Sequence, residues 1–201
     1  MLDYEDKKNI ELKAILLGSS GVGKTNLINT CTGLKFDKCS RPTTTGTFSQ
    51  KIITINGKNF TINLWDTAGQ EKFRSLTKIF LKKADIVIYV YDITNRNSFE
   101  DLEEWINICK ETVDNEFIGG VVGNKSDLYL SEEVKEDEGK KFADSKNFHF
   151  RLVSAKETPS SFIKFLEELI EEHKELFKND VVENSTLTNS KISLKNKKGC
   201  C

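Results

Sequence analysis

A glycine-rich stretch near the start of the chain has the residue types and spacing of a phosphate-binding loop. Residues 18–25 read GSSGVGKT and fit the pattern GxxxxGK(S/T) between a strand-like and a helix-like segment. Glycines let the backbone curl until its N–H groups point at phosphate oxygens, and the helix N-terminus adds a positive dipole end. Lys24 would contact the β- and γ-phosphates, and the Thr25 hydroxyl would ligate Mg²⁺. The loop predicts a bound nucleoside triphosphate, with contacts from Ser20, Gly21, Val22, Gly23, Lys24, Thr25 and Asn26.

A second group of candidate residues follows the apolar segment 59–65. Asp66 stands at a strand end, where nucleoside triphosphatases hold their metal ion. Gly69 offers a backbone N–H to a γ-phosphate, and Gln70 can orient the attacking water. We therefore expect Asp66 at the metal, Gly69 at the phosphate and Gln70 as the catalytic residue. Without the phosphate loop, an ordinary turn after a strand would explain these residues equally well.

Two further segments indicate which base is bound. Residues 124–127 read NKSD and follow an apolar segment, and residues 154–156 read SAK and follow another. The Asp127 carboxylate can accept hydrogen bonds from guanine N1–H and the 2-amino group, whereas adenine would leave this buried group unpaired. Lys125 can lay its methylene stem over the ring, and the SAK turn offers a backbone N–H to guanine O6. The expected contacts to guanine are Asn124, Lys125, Asp127, Ser154, Ala155 and Lys156.

The elements that position these residues alternate between strand-like and helix-like patterns. Apolar, strand-like runs occur at 10–17, 48–55, 59–65, 85–91, 117–122 and 148–153. Helical spacing of apolar residues occurs at 24–32, from Phe99 to Cys109, and after Thr158-Pro159. Asn56-Gly57 predicts a tight hairpin between two of the strands. The sequence therefore predicts an α/β fold with a mostly parallel sheet and one antiparallel edge strand.

Composition and charge exclude several classes of protein. The chain has 201 residues, with 30 Lys and Arg against 31 Asp and Glu, so bulk positive charge for nucleic-acid binding is absent. No apolar run approaches the roughly 20 residues of a membrane span, and residues 1–9 do not resemble a signal peptide. The internal cysteines have neither zinc-site spacing nor enough nearby histidines. Residues 178–201 are polar and rich in Asn, Ser, Thr and Lys, which predicts a disordered tail.

The motifs WDTAGQEKFRSL, YDITN, GNKSD and SAK, together with the terminal Cys-Cys, resemble the Rab family of small GTPases in the Ras superfamily. The resemblance covers residues 10–177 and the C-terminus. It implies a P-loop NTPase domain at 10–177, with three α/β/α layers, a six-stranded sheet and five helices. Residues 1–9 would be an extension, and 178–201 a hypervariable tail. It further implies that Phe36 lies against the guanine face, plain core packing being the alternative.

The segment 33–47 departs from the family pattern, because TTTGTF stands at 43–48 where the family has a sequence close to TIGVDF. A gapless match makes Thr43 the threonine that senses the γ-phosphate and ligates Mg²⁺. Matching Gly46 to the family glycine makes Thr44 that residue, but requires an insertion and a deletion. We favour Thr43. The gapless match also puts Thr44 and Thr47 where the family has apolar and acidic residues that meet effectors, so we expect unusual effectors.

Aromatic and basic residues near these segments have two interpretations each. Phe73, Leu76, Phe80 and Leu81 are at helical spacing, typical of a core, but with Phe48 and Trp65 they could form a surface that partners recognise. Arg41 is near Thr43 and could act as an internal catalytic arginine. A charged loop residue is usually solvated, however, and Rab-like proteins receive this arginine from a partner, so we expect a partner to supply it.

The resemblance implies a GTP-binding and GTP-hydrolysing switch in vesicle traffic, with Mg²⁺ as cofactor and slow hydrolysis without an activating protein. Cys200 and Cys201, preceded by three lysines at 195, 197 and 198, look like a double geranylgeranylation signal. The implied partners are an exchange factor, a GTPase-activating protein, a GDP-dissociation inhibitor or escort protein, a prenyltransferase and effectors of the GTP form. The expected protein is a monomer on the cytoplasmic face of endomembranes that cycles with the cytosol. The alternatives are a GTP-binding scaffold with little hydrolysis and, less consistent with Asp127, a P-loop ATPase or nucleoside kinase.

Overall fold

The computed structural model of the chain describes residues 10–69, 74–113 and 115–173, with side chains left undescribed at 74–76. The strands are β1 (Ile10–Leu17), β2 (Thr47–Ile55), β3 (Lys58–Asp66), β4 (Ile86–Asp92), β5 (Ile118–Asn124) and β6 (His149–Leu152). The helices are α1 (Lys24–Cys31), α2 (Arg74–Leu81), α3 (Arg96–Glu100), α4 (Leu102–Lys110), α5 (Glu136–Ser145) and α6 (159–173), with a 3₁₀ segment at Ser126–Ser131.

The strands form one sheet in the order β2-β3-β1-β4-β5-β6. Only the β2–β3 pair is antiparallel among these neighbours. Asn56 and Gly57 join that pair with φ values of 51° and 75°, the left-handed conformation that a two-residue hairpin turn needs. The α/β class, the parallel sheet and the antiparallel edge strand are therefore confirmed.

The core lies on both faces of the sheet. Successive residues of β1 point to opposite sides, so Ala14 and Leu16 pack with α1 and α6, whereas Ile15 and Leu17 pack with α4 and α5. Strands β4 and β5 are buried along their whole length. Continuous apolar runs are typical of central parallel strands that helices cover on both faces. The result is the three-layer arrangement that places all the parallel strand ends at one edge.

The number of helices differs from the expected five, because the described residues contain six α-helical segments. The difference comes from the helix predicted around Phe99, which is counted as α3 and α4 on either side of Asp101, although Asp101 keeps helical backbone angles of φ −63° and ψ −17°. Asp101 caps α4 through its carbonyl oxygen, which accepts from the N–H groups of Glu104 and Trp105. Its carboxylate turns away from the helix and accepts from Ser19 Oγ at 2.5 Å. A contact with the phosphate loop is thus made at the junction of the two helical segments.

Several expectations fall outside the described residues. These are Gln70, Phe73, the side chain of Leu76, the extension at 1–9, the tail at 178–201 and its terminal cysteines. Within the described part of the chain, no helix has the length and apolar character to cross a membrane.

Candidate functional site

The phosphate-binding loop connects β1 to α1 at the edge where the parallel strands end. Gly18 has φ 145° and lies so close to β4 that a Cβ atom would stand 2.1 Å from the Val90 carbonyl oxygen. Gly23 caps α1 with φ 99°, and a Cβ there would stand 2.4 Å from Nδ2 of Asn124. Side chains at these two positions would be both strained and obstructed. The loop can therefore curl tightly over the N-terminus of α1.

Lys24 is held inside this loop. Its Nζ donates to the carbonyl oxygens of Gly18, at 2.7 Å, and Ser19, at 3.0 Å. Burial lowers the pKa of Lys24 to about 8, and the nearby Asp66 carboxylate opposes the change. The backbone of Gly69 passes directly over this amine, because a Cβ on Gly69 would lie 2.6 Å from Nζ. The Lys24 amine and the Gly69 backbone thus converge from two separate segments.

Three oxygen-bearing side chains meet beside Lys24. Asp66 Oδ2 accepts from Thr25 Oγ1 at 2.7 Å and from Thr43 Oγ1 at 3.1 Å, and the two hydroxyls are 3.0 Å apart. Burial raises the pKa of Asp66, and the hydrogen bond from Thr25, the Lys24 charge and the bond from Thr43 oppose the rise. Of the two threonines considered, Thr43 joins this cluster, whereas Thr44 is exposed.

The donor set of this cluster suits a hard divalent cation. Asp66 Oδ1 is buried and has no hydrogen-bond partner among the described residues. One carboxylate and two hydroxyl groups are oxygen ligands of the kind that Mg²⁺ prefers, and a cation there would satisfy the orphaned oxygen. The described part of the chain contains no cluster of three His, Cys, Asp or Glu side chains. The residues present therefore fit Mg²⁺ better than a transition metal.

The predicted base contacts form a second group at the same edge. Asp127 is almost buried, and its Oδ1 accepts from Ser154 Oγ at 2.6 Å. Lys156 Nζ lies 3.9 Å from the other carboxylate oxygen. Lys125 has φ 66°, and its Nζ pairs with Asp92 at 2.6 Å, which holds its stem along the cleft wall. An acceptor is thus fixed beside Lys156, in a cleft that Lys125 also lines.

Both groups line one cleft of about 520 Å³. Val22, Asp66 and Ser154 stand behind its wall, and each bonds to a lining residue. Phe36 lines the cleft and is 38% exposed, so core packing does not explain it. The predicted residues that line the cleft are Ser20, Gly21, Gly23, Lys24, Thr25, Asn26, Phe36, Thr43, Gly69, Asn124, Lys125, Asp127, Ala155 and Lys156.

Comparisons with known proteins agree with this geometry. Residues 13–175 match the Ras family. The Ras-related protein RABA6a of Arabidopsis thaliana is 38% identical over 154 residues, which are 77% of this chain and 66% of that protein. RABA6b of the same plant is 35% identical over 181 residues, 90% of this chain and 79% of that protein. Rab-11C of Dictyostelium discoideum is 37% identical over 154 residues, 77% of this chain and 69% of that protein.

The chain belongs to the Rab family of small GTPases. It is a GTPase that acts as a molecular switch, as members of this family are. Ras-family GTPases bind guanine nucleotides and typically Mg²⁺, which is consistent with the oxygen cluster around Asp66.

In this GTPase, Asn124 links three loops, a function that the sequence did not indicate. Its Nδ2 donates to the Val22 carbonyl at 2.8 Å, and its Oδ1 accepts from the Ala155 N–H at 3.2 Å. The phosphate loop, the NKSD segment and the SAK turn are therefore joined through one buried amide. Only the position of Asn124, at the end of an apolar strand that would lie next to another strand end, could have suggested from the sequence that it joins these loops.

Asn26 does the same for the loop that crosses the cleft. It donates to the Asp37 carbonyl oxygen and accepts from the Asp37 N–H, both at 2.9 Å. The motif predicts that Asn26 contacts the nucleotide, but it does not indicate that Asn26 also holds this loop. Phe36 and Thr43 were both predicted to contact the nucleotide. The chain between them therefore has to cross the cleft, and this is the sequence signal that could have identified its residues. The cleft residues that sequence reasoning missed are Asp37, Lys38, Ser40, Pro42, Thr67 and Leu128. Arg41, which the sequence had offered as a possible internal catalytic arginine, also lines the cleft.

An exposed aromatic surface lies next to the cleft. The Trp65 ring lies 5.4 Å from that of Phe48 and 5.2 Å from that of Phe80, measured between centroids. Phe48 is 49% exposed, whereas Leu81 is fully buried. Of the two interpretations, core packing holds for Leu81 and a surface for Phe48, with Trp65 and Phe80 half-buried between them.

Proposed function

We propose that this GTPase regulates vesicle traffic, binds GTP and GDP in the cleft, and is anchored to membranes by lipids on Cys200 and Cys201. One observation carries the switch: the Thr43 hydroxyl, from a loop without regular structure, lies within 3.1 Å of both Thr25 Oγ1 and Asp66 Oδ2. A loop that ends on such a cluster is held or released by whatever the cluster binds. Nucleotide state is thereby coupled to the shape of a surface.

At the phosphate end, Lys24 and the Gly69 N–H would contact the γ-phosphate. Thr25, Thr43 and Asp66 would hold Mg²⁺, which neutralises charge on the β- and γ-phosphates when bound. Gln70 would orient the water that attacks the γ-phosphorus. Departure of that phosphate removes the group that Gly69 and Thr43 sense, so both segments would be released.

At the base end, Asp127 would accept from guanine N1–H and the 2-amino group. Ser154 supports this role, because its 2.6 Å hydrogen bond fixes one carboxylate oxygen and leaves the other facing Lys156. A nucleobase without both donors would leave a nearly buried carboxylate unsatisfied. This geometry supports the proposed selection of guanine over adenine.

The proposed partners are those of the family: an exchange factor, an activating protein, a GDP-dissociation inhibitor or escort protein, and a prenyltransferase. Effectors of the GTP form would contact Phe48, Trp65 and Phe80, because this surface adjoins the loop that Thr43 anchors. Two lipid chains give stable anchoring where one is marginal, and nearby lysines would add attraction to anionic lipid. The protein would act on the cytoplasmic face of endomembranes and cycle with the cytosol.

Hydrogen exchange of the full chain tests the switch. We expect residues 37–48 to exchange more slowly with a non-hydrolysable GTP analogue than with GDP, and Thr43→Ala to abolish most of that difference. Thr44→Ala is the matched control, since Thr44 is exposed, and it should behave as wild type. Equal exchange in the two nucleotide states would refute the switch even if both nucleotides bind.

Single-turnover hydrolysis separates the switch from a GTP-binding scaffold, which the unusual residues at Thr44 and Thr47 also permit. We expect wild type to hydrolyse GTP on the order of 10⁻⁴–10⁻³ per second without a partner, and Gln70→Leu to be slower. Equal rates near zero would favour the scaffold. Preferential binding of ATP would refute the guanine assignment.

Fractionation of expressing cells tests the anchor. A variant with both Cys200→Ser and Cys201→Ser should shift from the membrane pellet to the supernatant, and its mass should lack the added lipid. Cys39→Ser, which removes an exposed cysteine elsewhere, should leave the distribution unchanged. Pelleting of the double variant at wild-type levels would contradict lipid anchoring.

A further inference from the structure

The cleft is lined by five cationic side chains, and two of them have no partner among the described residues. Lys24 donates to loop carbonyls, Lys125 pairs with Asp92, and Lys156 lies near Asp127. Lys38 and Arg41 have neither a hydrogen bond nor an ion pair in the described part of the chain. A cation that lines an anion-binding cleft without a protein partner is available to the bound anion.

Arg41 is the better placed of these two. It stands two residues before Thr43, so its Cα is within about 7 Å of the Thr43 Cα along the chain. Thr43 in turn reaches the oxygen cluster with Thr25 at 3.0 Å. Pro42 lies between them, and a following proline biases Arg41 towards extended backbone. Lys38 is five residues before Thr43 and beside Asp37, another residue of the cleft wall.

We propose that Arg41 is a catalytic residue that this chain supplies to its own GTPase reaction, by donating hydrogen bonds to the β–γ bridging oxygen and to a neighbouring non-bridging phosphate oxygen. In that reaction a water oxygen bonds to the γ-phosphorus, the bond from that phosphorus to the β–γ bridging oxygen breaks, and the water proton passes to the released phosphate. Negative charge grows on the bridging oxygen. Arg41 keeps its proton throughout and stabilises that charge with a planar, fork-shaped donor.

This inference rests on the proposed function and changes one part of it. The sequence favoured a partner as the source of the arginine, because a charged loop residue is usually solvated. The structure puts Arg41 in the wall of the cleft, with no protein acceptor among the described residues. The unaided rate should then depend on Arg41.

Single-turnover hydrolysis by the full chain, loaded with GTP and Mg²⁺, tests the proposal. We expect Arg41→Ala to reduce the rate constant at least tenfold, and Arg41→Lys to restore only part of the loss, because an ammonium lacks the paired donors. Lys35→Ala removes an exposed charge from the same loop but outside the cleft wall, and it should keep the wild-type rate. GTP dissociation, measured in parallel, should change less than threefold in all three variants.

The outcomes distinguish a failure of the proposed function from a failure of the role proposed for Arg41. If wild type does not bind GTP, the proposed function fails. If wild type binds and hydrolyses GTP and Arg41→Ala stays within twofold of its rate, only the role of Arg41 is overturned. An Arg41 variant that releases GTP faster but hydrolyses it at the wild-type rate also overturns that role. Arg41 would then contribute to binding of GTP and not to stabilisation of the transition state. Absence of measurable unaided hydrolysis by wild type overturns it as well.

Discussion

Replacing Asn124 with alanine should destabilise the fold as well as weaken nucleotide binding. The Asn124 side chain is buried at the end of β5, and it bonds to the Val22 carbonyl at 2.8 Å and the Ala155 N–H at 3.2 Å. Both partners belong to buried residues. Alanine would leave one acceptor and one donor without hydrogen bonds in places that water does not reach.

The magnitude follows from those two orphaned groups. Each buried polar group left unsatisfied costs about 1–3 kcal/mol, so the free energy of unfolding should fall by about 2–6 kcal/mol. For a chain of this size the melting temperature falls by about 2–4 °C per kcal/mol, which predicts a decrease of roughly 10 °C. The loss should be present at every nucleotide concentration, because these bonds join protein to protein.

Chemical denaturation at several GDP concentrations separates the two effects, since bound ligand adds to stability by mass action. Asn63→Ala is the matched control: Asn63 Oδ1 accepts from Gln50 at 2.9 Å on the exposed side of the hairpin, and its loss should cost less than about 0.5 kcal/mol. If Asn124→Ala, extrapolated to zero GDP, lies within that same margin of wild type, the three-loop link does not contribute to the fold.

Three other outcomes are expected. Thr43→Ala should reduce the Mg²⁺-dependent part of GTP affinity, measured by nucleotide release with and without EDTA, whereas Thr44→Ala should not; equal effects would reject the Thr43 assignment. Asp127→Ala should lower the preference for GTP over ATP by at least tenfold in competition assays, and an unchanged ratio would mean that another group selects the base. Because burial raises the pKa of Cys31 to about 12, on the order of one molecule in ten thousand carries its thiolate at pH 8. Peptide mapping after brief alkylation should find Cys39 modified and Cys31 intact, and early loss of the Cys31 thiol would show that α1 opens.

Much of the fold could be predicted because each signal is local. The Asn56-Gly57 turn, the continuous apolar runs of β4 and β5, and the Thr158-Pro159 start of α6 each act through neighbouring residues. The side-chain contact of Asp101 with the phosphate loop could not be predicted in this way. The Asp101 carboxylate bonds to Ser19, and a contact between residues 82 apart leaves no periodic pattern in the sequence.

The candidate site shows the same division between local and long-range information. Strand ends placed the phosphate loop, Asp66 and the NKSD segment at one edge, because parallel strands end on the same side of the sheet. The bonds that hold these loops to one another come from buried amides such as Asn124 and Asn26. Both residues had been assigned to the nucleotide from their motif, and the motif gives no information on what else an amide contacts.

The position of Thr43 depends on both local and long-range interactions. The Asn56-Gly57 turn fixes the register of the hairpin, so Thr47 pairs with Asp66 at its open end. From Thr47 the chain needs only four residues to return to Thr43, a span of at most about 14 Å, and the Thr43 hydroxyl then lies 3.1 Å from the Asp66 carboxylate. Thr44 is exposed, as expected where neighbouring side chains of an extended chain point to opposite sides. The hairpin register therefore helps to determine which threonine reaches Asp66. If Thr43 senses the γ-phosphate as proposed, we expect a change of register by one residue to separate that threonine from its ligand.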